Sequence, residues 1–171
     1  MKNLFKVFVV AFMVMASVGI TSAQKVGHIN LQELVTFMPD AKKANTELDT
    51  LQSTLLREID RKTNEIKVKY DAYKGDMAKG TMLPSIQKTR EDELNRLQTD
   101  LQSFQYQAQD DMDKKRTELF QPIIKKATDA INAVSKEKGY SYVLDSSAGT
   151  ILFSTEGDDL MPSVKTKLGL K

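Results

Sequence analysis

The sequence contains no cysteine and only one histidine among its 171 residues. The absence of cysteine excludes disulfide bonds and an N-terminal lipid anchor on cysteine, so stability must come from packing or oligomerisation. The single histidine, His28, falls inside a predicted strand, where a packed or surface role is more common than catalysis. No second histidine is available for a Ser-His-Asp arrangement. We therefore expect no catalytic residues and no enzyme activity.

Phosphate-binding and metal-binding patterns are also missing. Gly75 and Gly80 lack the GK[ST] sequence of a phosphate loop and do not follow a strand. The acidic runs "EDE" at 91–93 and "DDMD" at 110–113 are typical of solvated helix faces rather than of metal or acid-base sites. We accordingly predict no cofactor and no metal site.

The first 23 residues have the pattern of a cleavable signal peptide. Lys2 and Lys6 precede an apolar run over 7–20, and the small residues Thr21 and Ala23 precede Gln24. The other interpretation, a retained membrane anchor, is less favoured because the run is short and no basic cluster follows it. Cleavage removes two lysines from a chain with 25 basic and 23 acidic residues, which leaves a net charge of zero. A generic nucleic-acid surface needs a basic excess, so we expect no nucleic-acid partner.

Two long segments have a narrow apolar stripe at helical spacing. The steps of three and four residues in the first stripe repeat every 11 residues, which predicts a nearly straight pairing of helices. Lys62 is the polar exception in the first stripe, and Arg90 and Lys115 are the exceptions in the second. The first stripe comprises Leu48, Leu51, Leu55, Ile59, Lys62, Ile66, Tyr70, Tyr73 and Met77. The second comprises Ile86, Arg90, Leu94, Leu97, Leu101, Phe104, Ala108, Met112, Lys115 and Leu119.

Between the stripes lies "YDAYKGDMAKGTMLPSIQ", which is rich in glycine and methionine and contains Pro84. The segments on either side, 41–79 and 84–121, are about 58 and about 57 Å long as helices. This match predicts an antiparallel helical hairpin over 41–122 with its tip near 75–84. Pro122 would kink the returning helix opposite the base of its partner. The segment 123–138 would then leave the hairpin and pack elsewhere, through Ile123, Ile124, Ala127, Ile131 and Val134.

The remaining residues, 24–40 and 123–171, predict a small α+β body. "KVGHINLQELVTFMP" indicates a strand and a helical turn that Pro39 ends, while "YSYVLD" and "TILFS" indicate a β-hairpin around "SSAG". Gly139 suits a helix cap, and Asp158 or Asp159 could cap a last helix over 160–168. A body this small is marginal alone, which favours a cyclic oligomer. The residues expected in its core and oligomer contacts are Val26, Ile29, Leu31, Val143, Ile151 and Phe153.

The tip carries a further set of candidate contacts. Methionine is flexible and polarisable, which suits adaptable contact with varied partners. The alternative is that these side chains only close the tip of the hairpin, and this is favoured for those on the stripe. The candidates are Tyr70, Tyr73, Met77, Met82 and Leu83.

Three segments flank the charged hairpin of the mature chain in an order that resembles the Skp/OmpH family of periplasmic chaperones. They are "KVGHINLQELVTFMP" before the hairpin, and "YSYVLDSSAGTILFS" and "DDLMPSVKTKLG" after it. The resemblance implies a homotrimer whose body is a β-barrel built by three chains and whose helical arms enclose a cavity. It also implies a periplasmic holdase that binds unfolded outer-membrane proteins without ATP. Members of this family are often markedly basic, so the zero net charge here argues against a membrane or lipopolysaccharide site.

Two further hypotheses stay open at the level of the sequence. A structural coiled-coil spacer or tether of the envelope would keep its arms paired with a fixed partner and bind no client. The sequence offers no second anchor, which counts against this hypothesis. An enzyme would need a polar constellation in the body, and His28 is its only histidine.

Overall fold

The computed structural model describes residues 24–149 and 151–170, and the expected signal peptide lies outside these residues. Strand β1 (Val26–Ile29) is followed by helix α1 (Leu31–Phe37) and by the long helices α2 (Pro39–Ala78) and α3 (Pro84–Lys138). Strand β2 (Tyr142–Asp145), a 3-10 turn (Glu156–Asp158) and helix α4 (Met161–Leu168) complete the chain. None of the described helices is both long and apolar enough to cross a membrane.

The helix boundaries follow from capping and from proline. The Asn30 side chain accepts a hydrogen bond of 2.9 Å from the Glu33 N–H and so begins α1. Pro39 and Pro84 stand at the first positions of α2 and α3, where the missing N–H costs nothing. Gly139 ends α3 with φ 71°, a left-handed conformation that favours glycine, as the sequence predicts.

Helices α2 and α3 form the antiparallel hairpin that the sequence predicts. They contain 40 and 55 residues, so α2 is about 60 Å long and α3 about 82 Å. The extra length of α3 carries it past the start of α2 into the body. Helix α3 continues through Pro122 without interruption, and a kink at this residue stays a prediction.

The body core joins the base of the hairpin to β1, α1 and α4. The predicted packing of Ile123, Ala127 and Val134 is confirmed, since all three are buried, and Ile131 lies at the edge of the core. Ile124 was predicted to pack there too, which is wrong, because its side chain is exposed on the neighbouring face of α3. The buried cluster comprises Ile29, Leu34, Met38, Ala41, Ala44, Ile123, Ala127, Ala130, Val134, Leu160 and Val164.

The body contains a parallel pair of strands, with Val26 opposite Tyr142 and Ile29 opposite Asp145. The hairpin between "YSYVLD" and "TILFS" was predicted, but β2 pairs with β1, and the described residues of the second segment, 151–154, form no strand in the single chain. Leu152 and Phe153 are 97% and 86% exposed, so a strand here would bury little apolar surface. Helix α4 matches its prediction within one residue, with Asp159 accepting from the Met161 N–H at 2.8 Å and Gly169 closing it.

Candidate functional site

The tip of the hairpin presents some of the predicted contact residues and uses others internally. Tyr70, Met77 and Leu83 are exposed, with Leu83 61% accessible, whereas Tyr73 and Met82 are half-buried. The Tyr73 hydroxyl donates a hydrogen bond of 2.6 Å to Glu91 on the opposite helix. Tyr73 therefore helps to hold the two helices together, and three of the five candidates are free to contact a partner.

Polar contacts join the two helices in succession near the tip. Lys69 Nζ lies 2.7 Å from Glu93 Oε1, and Arg90 donates to Asp76 Oδ2 at 2.8 Å. The Tyr73–Glu91 hydrogen bond lies between these two ion pairs. We call these three contacts the tip contacts. They are all solvent-accessible, so each should contribute modestly to stability.

The tip contacts change the acidity of their own members. Hydrogen bonds from Lys79 and then Arg90 lower the pKa of Asp76, and the bond from Lys69 lowers the pKa of Glu93. The Tyr73–Glu91 bond lowers the pKa of the carboxyl and raises that of the phenol. These directions agree with a charged carboxylate accepting from a protonated donor.

Each polar exception in the two apolar stripes makes a contact across the hairpin. Arg90 binds Asp76, and Lys115 Nζ lies 2.9 Å from Glu47 Oε1. The Lys62 ammonium lies 5.3 Å from the centre of the Phe104 ring, within the range of a cation–π contact. The breaks in the periodicity thus mark the positions where charged groups bridge the helices.

Apolar burial along the hairpin is concentrated at its base. Ala41, Ala44 and Leu48 are buried there against α3, but no residue from 49 to 93 is buried. Several apolar side chains are exposed along the helices, and the sequence reasoning assigned them no contact role. Three of them lie out of phase with the stripes, which is the signal that could have identified them. These exposed residues are Leu56, Val68, Ile86 and Tyr106.

A groove of about 780 Å³ lies where the hairpin meets the body. Its apolar wall includes Leu31, Val35, Phe120 and Ile124, which accounts for the exposed position of Ile124. Asp145 lies at its rim. Burial acts to raise the pKa of Asp145, but hydrogen bonds from the N–H groups of Ser147 and Leu31 outweigh it and lower the pKa.

The two-stranded sheet has one face on the core and one face outward. Alternation places Ile29 and Val143 toward the core, while Val26, Tyr142 and Leu144 are exposed. The expected core residues Ile29, Leu31 and Val143 thus lie in or against the protomer core, and Ile151 is half-buried. Val26 and Phe153 are exposed, so in the single chain they belong to the surface.

His28 lies in β1, as predicted. Its Nε2 atom is buried and has no hydrogen-bond partner within the described part of the chain. The backbone of His28 also forms an isolated bridge to Asp159. Among the residues that the structure describes, no cluster of three or more histidine or acidic side chains could hold a metal ion.

The comparisons with known proteins agree with this architecture. The solved structure of a candidate outer membrane chaperone (OmpH-like) from Caulobacter crescentus CB15 superposes with a TM-score of 0.70. The match covers 86% of this chain and 85% of that one at 15% sequence identity, which shows a shared fold. No curated relative matches the sequence. The profile of the OmpH-like outer membrane proteins matches residues 25–168, so the chain belongs to that family.

Proposed function

We propose that this protein is an ATP-independent periplasmic holdase that binds unfolded outer-membrane proteins between its helical arms. The observation that carries the proposal is the arm itself, a projection of about 60 Å with little apolar burial and several exposed apolar side chains. Many weak contacts along such an arm would together give useful avidity for an unfolded chain. The membership of the OmpH-like family supports the same function.

The contact set on the arm would begin with Tyr70, Met77 and Leu83, which are exposed near the tip. Tyr73 and Met82 would join them when the tip moves. Leu56 and Val68 extend the exposed apolar surface toward the base. Side chains spread along the arm would cover a client without requiring a fixed client structure.

The body would assemble three protomers through the outward face of its sheet. Val26, Tyr142 and Leu144 expose apolar surface on this face, and the adjoining Leu152 and Phe153 are also exposed. Covering this surface with other copies would supply the burial that a small body lacks. The strand expected at "TILFS", residues 150–154, would form only when a neighbouring protomer offers it a partner.

The test of assembly replaces an exposed residue of the proposed interface. A charge at Ile29 would not serve, because this residue is buried in the protomer core and the charge would disturb folding. Phe153→Asp should convert the trimer to monomer in sedimentation equilibrium while helicity by circular dichroism is retained. Tyr106→Asp, which places the same charge on an exposed arm position, should remain trimeric. A trimeric Phe153→Asp protein would contradict the proposed interface.

The test of the holdase function is the aggregation of an outer-membrane barrel diluted from urea. A stoichiometric amount of trimer should suppress light scattering by the unfolded barrel without added ATP. In pull-downs, the protein should capture the unfolded barrel and not the folded one, which distinguishes a holdase from an envelope spacer. Unchanged aggregation in the presence of the folded trimer would overturn the proposal.

A further inference from the structure

We propose that the tip of the hairpin, residues 69–93, is a polar latch that opens independently of the base, at a frequency set by the three tip contacts. The latch follows from the distribution of contacts along α2 and α3. It concerns the motion of the arm and does not depend on the identity of any client.

The two ends of the hairpin differ in how much apolar surface they bury. The base of the hairpin belongs to an apolar cluster that includes Ala44, Ile123 and Ala127. Beyond Leu48, the next buried apolar residue of the hairpin is Ala108 on α3, followed by Leu94 toward the tip. No residue between 67 and 93 is buried, so the tip has no apolar core that must be disrupted for opening.

The three tip contacts lie in this same stretch of the hairpin. Lys69–Glu93, Tyr73–Glu91 and Asp76–Arg90 occupy successive levels of the same stretch that lacks buried apolar residues. Two of these acceptors also accept a hydrogen bond from a residue of their own helical arm. Lys79 donates to Asp76, and Gln87 donates to Glu91. The contacts therefore form a linked set that closes the tip from Lys69 to Glu93.

The strength of the tip contacts decides how easily the tip opens. Accessible ion pairs are weak and are screened by salt, so the closed tip should have a low opening free energy. Segments with few buried apolar contacts are the least stable parts of a protein and unfold locally. In the short connection at the tip, Gly80 has φ 67°, a left-handed conformation that favours glycine. Opening would expose the inner sides of Ile66, Tyr73 and Met82, which are half-buried when the latch is closed.

The lowered pKa values of Asp76, Glu91 and Glu93 agree with this arrangement, because all three carboxyls are stabilised in the charged form by their partners. The same helices also carry ion pairs that do not cross the hairpin. Lys88–Asp92, Arg96–Asp100 and Lys114–Asp110 join residues four apart on α3. These pairs provide a control of equal charge.

The experiment is amide hydrogen exchange by mass spectrometry on the assembled mature protein. The latch variant carries Asp76→Asn, Glu91→Gln and Glu93→Gln. The control variant carries Asp92→Asn, Asp100→Asn and Asp110→Asn. Both lose three carboxylates, but only the first loses contacts across the hairpin.

The expected result is that exchange over 66–96 becomes about tenfold faster in the latch variant, while the control stays within about twofold of the parent protein. Amides at the base, over 40–48 and 123–134, should keep their protection in both variants. Raising NaCl to about 0.5 M should accelerate tip exchange in the parent protein and have little further effect on the latch variant.

Three results would overturn the latch. The first is unchanged tip exchange in the latch variant. The second is an equal acceleration of tip exchange in the control variant, and the third is an equal acceleration of exchange at the tip and at the base. Protection at the base also verifies that the latch variant is folded, so a loss of folding cannot be mistaken for opening. Since the readout involves no client, the latch can fail while the holdase function stands, and the reverse also holds.

Discussion

The base and the tip of the hairpin are built from the same two helices but are held by different forces. At the base, alanines on α2 allow close approach and α3 contributes Ile123 and Ala127 to a buried apolar core. At the tip, carboxylates, lysine, arginine and tyrosine bridge the helices in contact with water. The difference shows how one hairpin can combine a rigid attachment with an adaptable end.

The largest expected effect comes from truncating the apolar core that holds the base. Leu34 on α1 is fully buried in this core, so Leu34→Ala should lower the free energy of unfolding by about 3 kcal/mol. Leu83→Ala at the exposed tip should change it by less than about 0.5 kcal/mol. Chemical denaturation measures both changes in the free energy of unfolding. The protein concentration must be the same in all samples, because assembly adds to the apparent stability. Similar losses at the two sites would remove the distinction between base and tip.

Two glycines, one in the body and one near the tip, provide a second comparison between the core and the tip. A Cβ on Gly27 would lie 2.4 Å from Leu160 and 2.8 Å from the Tyr140 ring, so Gly27→Ala should destabilise the body by about 2 kcal/mol. Gly75 lies in α2 with no atom near its Cβ position, so Gly75→Ala should stabilise the protein by up to about 1 kcal/mol. Thermal unfolding reports both signs. A neutral Gly27→Ala would mean that Leu160 and Tyr140 can move aside.

Acid should act on the tip more than on the base. The pKa values of Asp76, Glu91 and Glu93 are lowered in the folded hairpin. Lys79 and then Arg90 lower that of Asp76, Tyr73 lowers that of Glu91, and Lys69 lowers that of Glu93. Their stabilisation is therefore complete above the ordinary pKa values of 3.8 for Asp and 4.5 for Glu, and is lost as pH falls below them.

Between pH 7 and about pH 3, NMR should show loss of order first over 69–93 and later, or not at all, over 123–134. The latch variant should show less of this acid effect, because neutral amides replace these three carboxylates. Simultaneous loss of order at both ends would indicate that protonation acts on the whole protein rather than on the tip contacts.

The sequence predicts the hairpin well because helical periodicity is a local signal. The positions of Pro39, Pro84 and Gly139 define the helix ends to within two residues of the observed boundaries. The tip contacts could not be predicted, because they depend on the rotation of the two helices about their axes and on side-chain rotamers, which helical periodicity does not define. Arg90 was recognised only as an exception in the stripe, yet it lies directly opposite Asp76.

The body illustrates a different limit. The "TILFS" segment has the composition of a strand, but its described residues, 151–154, form none in the single chain, and Phe153 is exposed. Local propensity indicates what a segment can form, whereas pairing depends on which edges are free. The exposed Ile124 follows the same logic, since the rotation of α3 at the base turns this residue toward the groove rather than the core.

The most direct test of the central claim is site-specific photocrosslinking to a client diluted from urea. A photoreactive residue would replace Tyr70, Leu83 or Tyr106 on the arm, and Thr166 on the surface of α4 would serve as the control. The account predicts that the arm positions crosslink to the unfolded outer-membrane protein and that Thr166 does not. Equal crosslinking from Thr166, or none from any arm position, would contradict it.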